Sequence, residues 1–228
     1  MIDRTVGFSV AVTVGAYVLS RFVAKRYPSV LTTPVFFSTV VTMLVLWPSG
    51  VRVSDYEPAK QLMVFLLGPA TVSLAVPLYK NRHTLLRNAV PALTGLTVGS
   101  LATLLSALFV AKQLGLPEIV RVSLSIKSVT APIAIELAPI VHANPTLTTA
   151  FVIVTGMIGA MLGPRLMSAA GVHDPLARGL ALGTISHGRG AAQAVAEGEL
   201  QGAAAGIAMS LAAVFTSMVA PILVPLLR

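Results

Sequence analysis

The chain has 228 residues, of which 55% are hydrophobic and 11% are charged, and its mean hydropathy is +0.86. A soluble globular domain carries about 25% charged residues, so this composition excludes a protein surrounded entirely by water. The formal net charge is +8, but the cations lie in short segments between apolar runs. That distribution excludes the continuous basic face of a nucleic-acid-binding protein, and the lack of cysteine excludes disulfides and zinc–thiolate sites.

Apolar runs of bilayer-crossing length, about 20 residues each, follow one another through the first half of the chain. The first run lacks a basic leading region and a cleavage site, so we interpret it as a spanning helix rather than a signal peptide. Short polar or basic segments separate the runs, and none is long enough for a soluble domain. The predicted segments are Val6–Val23, Val30–Trp47, Gln61–Tyr79 and Ala89–Val110.

The second half continues the same pattern, although two of its segments contain charged residues. Its predicted segments are Ile119–Ala138, Thr146–Met167, Pro175–Ala196 and Ala203–Leu226. We therefore predict an all-α integral membrane protein, a polytopic helical bundle of about seven to eight membrane segments. Residues 1–228 would form a single transmembrane domain, with some helices interrupted by proline or glycine, or re-entrant.

Two interrupted segments, Leu67–Leu78 and Leu182–Ala194, both open with Leu-Gly and both precede an apolar helix. Paired interrupted segments in corresponding positions are typical of transporters built from structural repeats. We therefore predict two related halves, roughly residues 1–113 and 114–228.

Basic clusters at residues 21–26 and 80–87 predict that both connections face the cytoplasm. With eight plain crossings, Arg165 and Arg178 would then lie outside, against the same rule. One re-entrant segment in the second half removes this conflict, and Ile119–Ala138 is the best candidate because charged residues lie within it.

The first motif that carries chemistry covers residues 66–79. Proline removes a backbone donor, and irregular backbone at membrane depth persists only where protein or a water-filled cavity satisfies it. We expect helix breaks at Gly68, Pro69 and Pro77, with Thr71 and Ser73 as substrate-binding hydroxyls. The alternative is a kinked helix whose small residues serve packing alone.

The second motif places a lysine in an apolar segment, where its charge costs roughly 3 kcal/mol or more at the bilayer centre. Lys127 is followed by Ser128, Thr130 and a helix break at Pro132. A half-helix N-terminus beside a lysine can hold a carboxylate, so we expect a substrate site. Alternatively, Lys127 reaches an interface or pairs with Glu136, which is also a candidate for proton or cation coupling.

The third motif is rich in glycine and polar residues, unlike a lipid-facing helix. Gly188 and Gly190 predict a helix break, and the arginine fork of Arg189 binds carboxylates. Ser186 and His187 are further substrate-binding candidates, and His187 is a candidate for carrying a coupled proton. The alternative is an ordinary loop outside the membrane.

Together, Leu67–Tyr79, Lys127–Ala134 and Ser186–Ala194 resemble the LrgB family, and the resemblance covers about residues 8–228. This family includes the bacterial LrgB and CidB proteins and the membrane-spanning part of the plastidal glycolate/glycerate translocator. The resemblance implies transport of small monocarboxylates such as glycolate, glycerate, pyruvate or lactate. It also implies, under the older holin and antiholin label, control of murein hydrolases and cell lysis. Bacterial members are usually paired with a small LrgA/CidA-like membrane protein.

The chain departs from the family pattern at two motifs. The family commonly has Thr-Thr-Pro where this chain has Thr130-Ala131-Pro132, and it has an arginine where this chain has Gln193. Arg189, four residues earlier, is a candidate for supplying the positive charge from another position.

These observations favour a secondary transporter of small monocarboxylates in the bacterial cytoplasmic membrane. The expected partners are a small carboxylate substrate, the lipid bilayer, an LrgA/CidA-like protein and further copies of the chain, without nucleic acid, cofactor or metal. The alternative is a holin-like pore or a regulator of murein hydrolase activity. We expect no enzymatic activity, because Ser186 and His187 lack an orienting acid in their motif.

Two further sets of residues predict structure rather than chemistry. The histidines outside the third motif lie in predicted loops without metal-ligand spacing: His83, His142 and His173. The glycines at 156, 159 and 163 predict close helix packing, with a subunit interface as one option.

Overall fold

The computed structural model describes residues 4–27, 29, 31–73 and 75–227, except for the side chains at 67, 68, 70, 71, 73, 75, 77, 78 and 227. The described residues form eleven α-helices and no strand. In chain order these are α1 Arg4–Arg26, α2 Pro34–Leu46, α3 Val53–Ser73, α4 Ala75–Lys80, α5 Arg82–Arg87, α6 Ala89–Gln113, α7 Glu118–Ser125, α8 Ala131–Ile140, α9 Pro145–Ala169, α10 Pro175–Glu197 and α11 Glu199–Leu227.

Four of these helices, α1, α6, α9 and α11, are long and apolar enough to cross a membrane, judged over the described residues. Their large apolar side chains point outward; Phe22, Phe109 and Ile222 are each more than 60% exposed. Such surfaces are stable only against lipid or another apolar partner, so the protein is an integral membrane protein. The other predicted segments are shorter or interrupted helices.

The chain divides into two compact units, and the first covers residues 1–73. Within it, α1 packs against α2 and α3, and the Thr13 and Tyr56 hydroxyls lie 3.0 Å apart. The helix break expected at Gly68 and Pro69 is wrong, because α3 continues through both residues. A proline inside a helix removes one hydrogen bond and bends the helix without having to end it.

In the second unit, residues 74–228, α7 and α8 form a helical hairpin around the non-helical segment 126–130. The amide of Asn144, just after α8, donates to Ser123 Oγ at 3.0 Å across 21 residues of chain. Val122 and Val141 share one buried cluster with Leu108 of α6. A continuous helix would separate such positions by about 30 Å, so the chain turns back at 126–130.

α10 is also a hairpin, made of two helical arms separated by a kink. Its backbone leaves helical geometry at His187, where φ is 43° and ψ is −131°. At its base, Arg178 Nε donates to Glu197 Oε2 at 2.8 Å, although 19 residues separate them. In a straight helix they would lie about 28 Å apart. Residues 175–186 and 188–197 are therefore antiparallel arms that meet at His187.

α6 and α9 correspond closely, since each has 25 residues and each precedes a hairpin. Both end in the same cap, a glycine of positive φ (66° at Gly115 and 74° at Gly171) two residues after the helix. In both caps, the next amide donates back to a carbonyl five residues earlier, from Leu116 to Ala111 and from Val172 to Met167. This hydrogen bond defines a Schellman motif.

Candidate functional site

The two hairpins approach α9 from opposite ends and meet on its middle. The base of α7–α8 lies at Asn144, which caps the start of α9, whereas Arg178 at the base of α10 donates to the Pro164 carbonyl near its end. Val129 of the first hairpin packs in one buried cluster with Val152 of α9. His187 Nε2 of the second donates to the Val152 carbonyl at 3.1 Å. Both tips therefore contact the same turn of α9.

Lys127 lies in the tip of the first hairpin and is half-buried. Its ammonium donates to the Thr103 hydroxyl at 3.0 Å and, at 3.4 Å, to the Thr103 carbonyl of α6. In the part of the chain that the structure describes, no ion pair joins it to a carboxylate. Its charge is held by neutral oxygens, which leaves it available to an anion.

The hydroxyls beside Lys127 belong to the same tip. Ser128 Oγ is buried and lies 2.8 Å from Thr103 Oγ1. Thr130 is the N-cap of α8, but its side chain makes no capping hydrogen bond. The helix break lies at 126–130 rather than at Pro132, which occupies the first turn of α8. Proline is favoured there because the first-turn amides have no helical partner.

Glu136 is exposed on α8, away from the buried tip. No ion pair connects it with Lys127 among the described residues, so the alternative of a structural Lys127–Glu136 pair has no support. Of the two coupling candidates, only His187 lies at the tips, and coupling itself stays a prediction.

Arg189 lies two residues beyond the turn of the second hairpin and is half-buried. A β-carbon at Gly156 of α9 would lie 3.4 Å from Arg189 Cδ and 2.5 Å from His187 Cε1. The absent side chain at Gly156 therefore makes room for both. Over the described residues, the guanidinium makes no hydrogen bond or ion pair.

The glycines of the third motif serve packing more than ligand approach. A β-carbon at Gly183 would lie 2.7 Å from Ala205 Cα of α11, and one at Gly190 would lie 2.7 Å from Ser186 Cβ of the opposite arm. Gly190 lies inside the second arm, so the break expected there is wrong; the chain turns at His187. Gly188 is exposed, with only Met209 Sδ 3.9 Å from a β-carbon built on it.

The glycines of α9 are packing positions, as predicted, but within the chain. Gly159 receives Ser186, which is almost fully buried, and a β-carbon at Gly163 would lie 3.1 Å from Leu182 Cδ2. α10 covers this face, so it is not free for a second copy. The homo-oligomer stays a prediction, but the glycine face of α9 no longer supports it.

Some predicted site residues lie outside the part of the chain that the structure describes. The side chains of Thr71 and Ser73 are outside the described residues, and their predicted roles stay predictions. The helix break expected at Pro77 is wrong, because α4 continues through this residue. Over the described residues, no group of three potential ligands could hold a metal ion.

Thr103 and Thr184 were not predicted as site residues. Thr103 belongs to a plain apolar span that also contains Thr97, Ser100 and Ser106, and nothing in the sequence distinguishes it from them. Thr184 is 4% exposed, and its hydroxyl has no hydrogen-bond partner among the described residues.

Comparison with known proteins gives matches over almost the whole chain. The chain is 34% identical over 215 residues to the uncharacterized proteins YxaC and YwbG of Bacillus subtilis, covering 94% of this chain and 94% and 96% of theirs. It is 31% identical over 219 residues to the antiholin-like protein LrgB of Bacillus cereus (strain B4264), covering 96% of this chain and 95% of that one. No solved structure matches. The LrgB-like family matches residues 13–226, and the chain belongs to that family.

Proposed function

We propose that this protein binds a small monocarboxylate between its two hairpin tips and moves it across the bacterial cytoplasmic membrane. The observation that carries the proposal is the meeting of two broken helices on α9, each with a cation that has no acidic partner among the described residues: Lys127 and Arg189. Cations inside a membrane protein usually mark a substrate or ion pathway, because an uncompensated charge there is costly.

Helix dipoles at the tips support an anionic ligand. α8 begins directly after Thr130, and the second arm of α10 begins directly after His187. A helix N-terminus carries partial positive charge and free amide donors. Both N-termini start at the tips, beside the two cations, so four independent features of this region favour a carboxylate.

A repeat inferred from the helix lengths and caps supports transport rather than a static pore. We infer that α6 with α7–α8, and α9 with α10, are inverted copies, because a re-entrant hairpin between α6 and α9 makes them antiparallel. This repeat is shorter than the two halves expected from the sequence. Inverted repeats with sites at discontinuous helices are typical of secondary transporters that open alternately to each side.

The second candidate is a holin-related role, as a pore or as a regulator of murein hydrolase activity. The name of the Bacillus cereus relative, antiholin-like protein LrgB, favours it, and on names alone it has more support than transport. A small LrgA/CidA-like membrane protein is the partner expected in that case.

Uptake into proteoliposomes tests the proposal with labelled glycolate, pyruvate and lactate. We expect saturable uptake by the wild type and loss of uptake in Lys127→Ala. Lys112→Ala is the matched control, because Lys112 is an exposed lysine at the end of α6. Failure of the wild type to move any of the three above empty vesicles contradicts transport. Rapid, non-saturable leakage of unrelated solutes supports the pore instead.

A further inference from the structure

A cleft of about 570 Å³ lies between the first half of α6 and the first arm of α10. Thr84, Asn88 and Asp174 line one end, and Gly99 and Thr184 line the other. The walls follow about ten residues of each helix, so the cleft is about 15 Å long. That is about half the thickness of the hydrocarbon core of a bilayer.

The inner end of the cleft lies about one helical turn from the hairpin tips. Thr184 lies one turn before His187, and its Cγ2 would be 3.7 Å from a β-carbon at Gly99. Gly99 in turn lies one helical turn from Thr103, which holds Lys127. The cleft therefore runs from one face of the second unit to within about one helical turn of the proposed anion site.

Thr184 supplies a polar group at this inner end. Its hydroxyl is buried without a hydrogen-bond partner among the described residues, and such groups are uncommon because their desolvation is uncompensated. Rotation of the Thr184 side chain toward the cleft would expose the hydroxyl, and a ligand oxygen at the end of the cleft would then satisfy it. Asp174 at the mouth accepts from the Ala177 amide at the start of α10, so the positive end of that helix offsets its charge.

The cleft wall formed by α6 has open space beside Gly95, whereas the packed contact between α10 and α11 has none beside Gly183. Gly95 of α6 lines the cleft, and a β-carbon built on it would meet nothing within 4 Å. Gly183 of α10 does not line the cleft, and a β-carbon built on it would collide with α11. Gly95 is therefore not required by packing, and its missing side chain widens the cleft.

We propose that this cleft is the aqueous route by which a small carboxylate reaches the hairpin tips from the cytoplasm, with Thr184 as the hydroxyl it meets before Lys127. The inference rests on the proposed transport function. The mouth includes Thr84, which belongs to the basic segment 80–87, and basic connections face the cytoplasm. The described conformation is then open to the cytoplasm.

Cysteine labelling tests the route directly, because the chain contains no cysteine of its own. Ala181→Cys places a thiol in the cleft, and Val98→Cys places one on the exposed face of α6 outside it. A charged methanethiosulfonate reacts with the thiolate, which forms where water reaches it. We expect the first variant to label in inverted vesicles and not in intact cells, and the second to label in neither.

Two labelling results would overturn the route. Modification of Ala181→Cys only by a membrane-permeable maleimide would mean that lipid fills the cleft. Modification only from the outside of intact cells would mean that the cleft opens in the opposite direction.

Thr184 is tested as a specificity residue by kinetics. We expect Thr184→Val to raise the KM for uptake about tenfold, the effect of one hydrogen bond, and Thr184→Ser to stay within about twofold of the wild type. Unchanged KM in Thr184→Val contradicts the role of Thr184. If the wild type moves no carboxylate at all, transport itself is contradicted, whatever the labelling shows.

Discussion

The two hairpins reach the same turn of α9 by different local means. The first turns through five non-helical residues, 126–130, and the hydrogen bonds that Thr103 makes with Lys127 and Ser128 hold them. The second turns at His187, and glycine contacts fix its arms against each other and against α9 and α11. A ligand can replace side-chain hydrogen bonds, but it cannot replace backbone packing. The difference indicates an adaptable first tip and a rigid second tip.

The largest expected effect is at the packed arms of the second hairpin. In Gly190→Ala the new methyl collides with the Leu182 carbonyl and lies 2.7 Å from Ser186 Cβ, which costs about 3 kcal/mol of stability. Thermal unfolding in detergent measures this. The control is Gly95→Ala, which has open space and gains helix propensity of about 1 kcal/mol. Equal stability of the two variants would contradict the rigid second tip.

The base of the second hairpin comes next. Arg178 and Glu197 are 12% and 15% exposed, and Arg178 also donates to Ser168 and to two carbonyls. Removing one partner of a largely buried pair leaves the other charge uncompensated, so we expect Arg178→Ala to cost about 3 kcal/mol. Lys80→Ala breaks the exposed Lys80–Glu199 pair and should cost less than about 1 kcal/mol. If Arg178→Ala costs as little stability as Lys80→Ala, the Arg178–Glu197 pair does not hold the two arms of α10 together.

A smaller loss of stability is expected at the first tip, together with a loss of function. Thr103→Val removes the oxygen that accepts from Lys127 and pairs with Ser128, so we expect a loss of about 1–2 kcal/mol and about tenfold slower uptake. Thr103→Ser keeps the hydroxyl and should behave like the wild type in both assays. Normal uptake by Thr103→Val would contradict an adaptable tip held by this hydroxyl.

The smallest effect concerns the turn itself. His187 has a φ of 43°, which glycine adopts freely and other residues adopt with strain. Both His187→Gly and His187→Ala lose the hydrogen bond to Val152. We expect the glycine variant to be more stable than the alanine variant by about 1 kcal/mol, and therefore to unfold at a higher temperature. The reverse order would contradict the observed backbone geometry at the turn.

Much of this architecture is predictable from the sequence, because apolar length and interruption are local properties. Four predicted spans correspond to α1, α6, α9 and α11 within a few residues, whereas Val30–Trp47 contains only the 13-residue α2, which is too short to be counted as a span. The sequence places a break near Lys127, but the non-helical residues are 126–130 rather than Pro132, and re-entry over 119–138 stays a prediction. Arg178 and Glu197 also lie together at the base of the α10 hairpin. A plain crossing would place them on opposite sides of the membrane, which explains why eight plain crossings conflicted with the rule that basic connections face the cytoplasm.

The contacts between helices are not predictable in this way. The sequence marks Gly190 as a break or a ligand-approach position, but only the packed arms show that Leu182 and Ser186 fill the space beside it. Thr103 acquires a role because Lys127 folds back onto α6 across 24 residues of chain. Pro69 removes a donor wherever it occurs, yet the surrounding helix continues. Each of these outcomes depends on non-local packing.

Labelling both ends of each hairpin tests the central claim most directly, namely that two re-entrant hairpins enter from opposite faces. Four single-cysteine variants, Leu114→Cys, Thr146→Cys, His173→Cys and Glu199→Cys, place exposed thiols before and after each hairpin. With an impermeant thiol reagent, we predict that Leu114→Cys and Thr146→Cys label from one side of the membrane and that His173→Cys and Glu199→Cys label from the other. Labelling of the two ends of either hairpin from opposite sides would contradict the account.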